Sequence, residues 1–167
     1  MIIGLSIHTF TIIHVIISLV AIASGIVVLV GMLGAHRLPG WTAFFLTTTI
    51  LTSVTGFMFP IHGFTPGIGT GIVSMLVLGV ALIALYAKHL VGPWRWIYVT
   101  AAAAALYFNV LVLIVQSFQK VPALHALAPT QSEPPFLIAQ GCALVVFLVV
   151  VFFAASRFRP ATDVLAR

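Results

Sequence analysis

Five long apolar stretches divide the chain, each bounded by glycine, proline or charge. The first runs from about Ile7 to Leu33 and breaks at Gly34, His36, Arg37, Pro39 and Gly40. The second runs from Trp41 to Phe59, after which the prolines and glycines between Pro60 and Gly67 punctuate a turn rather than continue a helix. A third stretch covers Ile68 to Leu90 and a fourth Trp96 to Phe118, with Lys88, His89, Gly92, Pro93 and Arg95 around the turn between them. A long loop, QKVPALHALAPTQSEPP, precedes the fifth stretch, which begins near Phe136 and ends near Ser156. Ser132 and Glu133 are placed to cap that helix and complement its N-terminus. Each stretch has the roughly 20 residues that an α-helix needs to cross a hydrocarbon core of about 30 Å. The pattern predicts an all-α membrane protein, a bundle of five transmembrane helices over 7–33, 41–59, 68–90, 96–118 and 136–156, followed by a polar tail over 157–167.

Composition supports the same class. Of 167 residues 62% are hydrophobic and 5% charged, and mean hydropathy is +1.28. Soluble domains carry roughly 25% charged residues, so a water-facing surface cannot be assembled from seven Lys and Arg with two Asp and Glu. Five spans would use roughly 100 positions, leaving no room for a separate soluble domain. The first span is expected to be retained, since Met1–Ser6 holds no Lys or Arg to form the basic region of a secretory leader.

The net charge of +5 would point to nucleic acid in a soluble protein. Here the cations are dispersed along the chain, which leaves no basic patch for such a partner. They serve instead as topology signals. With five spans, Arg37, Lys88, Arg95, Arg157, Arg159 and Arg167 share one side, and only Lys120 lies opposite. Because cytoplasmic loops are enriched in Lys and Arg, the N-terminus is expected outside and the C-terminus in the cytoplasm. Trp41, Tyr86, Trp94, Trp96 and Tyr98 all fall at the cytoplasmic ends of their spans, as an aromatic belt would.

Within lipid, helices associate through small side chains and through hydroxyls or amides that bond across the interface. The second span offers Thr48, Thr52 and Gly56 as one stripe, with Thr49 and Ser53 beside it. Two roles are open to it, packing against a neighbour or lining a polar path. The fourth offers Ala102, Ala105, Asn109, Val112 and Gln116 at intervals of three and four. An unpaired amide in hydrocarbon costs several kcal/mol, so Asn109 must find a partner in the bundle or face water. Ser18, Ala21, Ser24 and Gly25 make a small face on the first span. The expected interior is therefore Thr48, Thr52, Gly56, Ala105 and Asn109.

Candidate chemistry is sparse. No charged residue sits in mid-span, so the intramembrane carboxylate of a proton-coupled pump and the buried lysine of a retinal protein are missing. The sequence lacks a phosphate-binding glycine loop, a His-Glu-x-x-His motif and a nucleophile elbow. The lone Cys142 precludes an intrachain disulfide and is expected to be a small packing residue. Histidine remains. His36 and His89 are expected at the cytoplasmic interface, whereas His8, His14, His62 and His125 fall on the outer side with Gln116 and Gln140 at comparable depth. Neutral imidazoles converging from separate elements can hold a metal or a haem iron. The candidate cofactor set is His14, His62, Gln116 and Gln140 for haem b, and the candidate metal set is His14, His62 and His125, with interfacial placement as the alternative for each histidine. His14 stands furthest inside the apolar boundary.

The run NVLVLIVQSFQKVPALHALAPTQSEPPFLIAQ from Asn109 to Gln140 resembles stretches of small multi-span inner-membrane proteins of proteobacteria whose function is unknown. His14 heading the first span and the HRLPGW segment from His36 to Trp41 are similar to segments of such proteins. The resemblance implies a bacterial inner membrane and a compact helical bundle, and it carries over no catalytic residue. The functional expectation is a non-enzymatic binding or accessory subunit whose partners are the lipid bilayer and other membrane subunits. A haem- or metal-binding protein and a small-solute transporter are the alternatives.

Overall fold

The computed structural model describes residues 2–60, 63 and 66–159. They are helical apart from their turns and a bridge between Ile2 and Leu5. The helices are α1 (Ile7–Leu33), α2 (Pro39–Phe57), α3 (Pro66–Leu82, extended by a π turn over Ile83–Ala87), α4 (Trp94–Lys120), α5 (Pro122–Leu127) and α6 (Pro134–Arg157). Of these, α1, Gly67–Ala87, α4 and α6 are long and apolar enough to cross a membrane. The 19-residue α2 is not among them, because six of its residues are threonine. Of the five expected spans, four are thus shown.

Proline sets where several helices begin. Its fixed φ suits the first helical turn and its missing N–H costs nothing there. Pro39, Pro122 and Pro134 open α2, α5 and α6, so α2 and α6 begin two residues earlier than expected. The short α5 interrupts what the sequence presents as continuous loop. Ser6 caps α1 by accepting the Thr9 N–H at 3.1 Å.

α4 is the central post, packing against α1, α2, α3, α5 and α6. Small side chains allow this: Ala101, Ala102, Ala103 and Ala105 are buried, and Leu106 and Val99 fill the space beside them. At Gly25 three helices meet. A Cβ there would lie 2.7 Å from side-chain atoms of both Leu106 of α4 and Phe45 of α2, so any side chain would force those two to shift. α6 lies on the outside of the bundle, with Ala154 its buried residue. Cys142, expected to pack, is exposed on it.

One expectation about α2 is corrected. Thr48 is buried, Thr52 half-buried and Gly56 exposed. A stripe at strict intervals of four gains about 40° per step on a helix of 3.6 residues per turn, so it rotates out of the interface. The face that stays inside is Thr42, Phe45, Leu46, Thr48, Thr49 and Ser53, which keeps Thr48 of the expected stripe.

The turn between α3 and α4 places two successive non-glycine residues in the left-handed region, His89 at φ 48° and Leu90 at φ 60°. Each costs about 1–2 kcal/mol. In return the Leu90 N–H reaches the Ala84 carbonyl at 3.1 Å and its side chain is buried in the core.

Candidate functional site

At one end of the bundle, α1 and α2 place His14 against Thr55, with His14 Nδ1 2.7 Å from Thr55 Oγ1. The Thr55 hydroxyl donates to the Leu51 carbonyl at 2.7 Å. With the hydroxyl so engaged, its oxygen can accept Nδ1–H, and a neutral ring in that tautomer keeps its lone pair on Nε2. The ring lies edge-on to Phe59, centroids 5.3 Å apart, and Phe59 in turn meets Phe10. Gly56, exposed as a lipid-facing position would be, has the His14 ring as its neighbour.

Of the other candidates expected on the outer side, four are described. His8 is exposed on α1, His125 is exposed on α5, and Gln116 is exposed on α4. His62 lies outside the described residues. Gln140 is half-buried and donates to the Leu111 carbonyl of α4 at 3.3 Å, while its Oε1 is buried with no hydrogen-bond partner. Among the described residues no three of His, Cys, Asp and Glu come together in a way that would hold a metal ion.

Midway along the bundle, Asn109 of α4 donates to the Thr49 hydroxyl of α2 at 3.4 Å, and both are buried. Neighbouring hydroxyls turn back to their own helices: Thr48 donates to Phe44 O at 2.8 Å and Thr52 to Thr48 O at 2.9 Å. Ser24 does the same toward Val20 O at 2.8 Å. Ser74 of α3 is buried, and its hydroxyl has no hydrogen-bond partner among the described residues.

The opposite end holds a cavity of about 60 Å³ between the C-terminal ends of α1 and α3 and the N-terminal ends of α2 and α4. Its polar lining is His36, Arg37, Thr42, Tyr86 and Tyr98. Thr42 and Tyr98 are buried on its floor, with their hydroxyls hydrogen-bonded, and the exposed His36 and Arg37 stand at its mouth. The sequence reading misses this site because it takes His36, Tyr86 and Tyr98 as interfacial and Arg37 as a topology signal, and gives Thr42 no role. Tyr98, assigned to the aromatic belt, is 2% exposed, whereas Trp96 is 51% exposed. Two residues apart on a helix are about 200° apart, so the two rings cannot share one face. That spacing is the signal available in the sequence.

The chain matches no protein-family profile, and neither a curated protein nor a solved structure shows significant similarity to it.

Proposed function

We propose that the chain is a five-span protein of the bacterial inner membrane, N-terminus outside, acting as a non-enzymatic binding or accessory subunit. The observation that carries this reading over transport is the chemistry of the interior. The hydroxyls that would line a polar route are bonded to their own helix carbonyls or to Asn109, and Phe45, Leu46, Leu78 and Leu106 fill the space around them. The exposed apolar side chains of α6, among them Leu137, Ile138, Val145 and Phe152, are available to lipid or to the helices of another subunit. In a Cys142→Ser background, Thr48→Cys, Thr52→Cys and Asn109→Cys are expected to resist water-soluble methanethiosulfonate reagents in native membranes. Reaction at all three positions would establish an aqueous path and overturn the reading in favour of transport.

A second reading, haem b binding at the outer end, is favoured by one feature. The Thr55 hydroxyl lies where it can accept Nδ1–H of His14, the arrangement that offers Nε2 to an iron, and His62 is the candidate second ligand. An absorption spectrum of the purified protein decides it. A Soret band abolished by His14→Ala supports haem; a colourless protein refutes it.

A further inference from the structure

The cavity at the cation-bearing end combines features that the accessory reading leaves unused. Its volume of about 60 Å³ compares with the roughly 10–15 Å³ that one water needs on the same measure. It therefore has room for several waters, or for a group of about five heavy atoms such as a phosphate. Its apolar walls, Met32, Leu85 and Phe158 among them, surround the buried Thr42 and Tyr98, and Arg37 stands at the opening.

Charge decides what such a cavity attracts. Among the described residues the only carboxylate is Glu133, at the opposite end of the bundle, so Arg37 has no ion-pair partner within the bundle. Of the other cations at this end, Arg95 donates to the Phe158 carbonyl, Lys88 sits over the Trp94 ring at 5.4 Å and Arg157 over the Phe153 ring at 5.4 Å, while Arg159, next to the lining residue Phe158, is exposed. α2 begins at the cavity edge, where its N-cap Leu38 offers no side-chain acceptor to the first-turn N–H groups. A guanidinium without a carboxylate partner, beside two hydroxyls, suits an anion with several acceptor oxygens. The apolar walls favour one carried on an apolar body.

We propose that this cavity binds a phosphate group, with Arg37 as its cation, the Thr42 and Tyr98 hydroxyls as its floor, and an anionic phospholipid headgroup as the carrier. The proposal deepens the binding-subunit reading by naming a ligand class, and it rests on that reading's five-span topology, which keeps the 34–38 and 88–93 turns that line the cavity on one side of the membrane.

Delipidated protein in detergent provides the test. Native mass spectrometry measures binding of dioleoyl phosphatidylglycerol, with dioleoylglycerol as the phosphate-free control, and calorimetry measures binding of inorganic phosphate. One phosphatidylglycerol is expected per chain, bound more tightly than dioleoylglycerol. Arg37→Gln, at an exposed position where folding is retained, is expected to weaken binding on the order of tenfold, the scale of one charge-assisted hydrogen bond. Thr42→Val should weaken it less, and Lys120→Gln at the opposite end should leave it unchanged. Inorganic phosphate binding with the same Arg37 dependence would keep the site and assign it to a soluble phosphate. The proposal is overturned if dioleoylglycerol binds as tightly as phosphatidylglycerol, or if Arg37→Gln and Lys120→Gln behave alike for both ligands. Either result leaves the filled-interior reading standing. Reactive cysteines at Thr48, Thr52 and Asn109 would sink that reading without touching this site.

Discussion

Asn109 shows how far a single residue can be interpreted from sequence. An amide in an apolar span must be satisfied, and that requirement identifies an interior residue without any structure. Its partner is a different matter. Thr48, Thr49 and Thr52 are chemically equivalent in the sequence, and only the rotation of α2 about its axis selects Thr49, which is fully buried. The stripe chosen at intervals of four drifts outward and ends at exposed Gly56, so the class of partner is legible and its register is not. The pairing has a measurable energy. Hydrogen bonds between membrane helices average about 0.6 kcal/mol and reach about 1.7. A double-mutant cycle of Asn109→Ala and Thr49→Val, followed by unfolding in mixed micelles, is expected to give a coupling in that range. Additive effects of the two changes would show that the bond contributes nothing, leaving Asn109 as a space-filling residue.

For whole elements, apolar runs locate helices well because burial in lipid demands length and hydrophobicity together. Their ends are less legible, since proline reads as a break although it also starts helices, as at Pro39 and Pro134. The start of α6 illustrates a second difference. Glu133 is its N-cap residue yet makes no side-chain bond into the helix. Its carboxylate turns back into the loop, accepting from the Thr130 hydroxyl at 2.8 Å, the Thr130 N–H at 3.1 Å and the Ser132 N–H at 3.0 Å. Desolvation pushes its pKa up, but these hydrogen bonds outweigh that push and hold it below its ordinary 4.5. A carboxyl depressed on folding contributes stability that is complete above its unfolded value and is lost as pH falls through the folded one. The 130–133 turn is therefore expected to hold at neutral pH and to loosen only below 4.5. The amide resonances of Thr130 and Ser132 should titrate together in that range, and Glu133→Gln should abolish the transition. A midpoint at or above 4.5 would mean that the carboxylate is not held by the turn.

The whole molecule depends on whether α2 crosses the membrane, because that decides the parity of every later loop. Composition argues against crossing, since its six threonines dilute the apolar content. Local chemistry and packing argue for it. Thr48, Thr52 and Thr55 each donate to the carbonyl four residues back, so these hydroxyls are satisfied within the helix and their cost in lipid is reduced. Contacts between α1 and α2 extend from the cavity, where Thr42 and Val28 both form the lining, through Phe45 at Gly25, to Thr55 at His14. A helix that accompanies α1 from one end to the other is expected to share its depth in the bilayer. The two topologies differ at a pair of loops. If α2 crosses, the 34–38 and 88–93 turns lie on one side and α5 on the other, with Arg37, Lys88 and Arg95 cytoplasmic as the charge rule requires. If it does not, the 34–38 turn and α5 share a side and the 88–93 turn is opposite. His36, Val91 and Ala126 are exposed, so a single cysteine at each, in a Cys142→Ser background, can report its side to a membrane-impermeant maleimide. Labelling of Ala126→Cys in intact spheroplasts, with His36→Cys and Val91→Cys reacting only after permeabilisation, is the expected result. Opposite labelling of His36→Cys and Val91→Cys would remove α2 from the membrane and invalidate the five-span bundle.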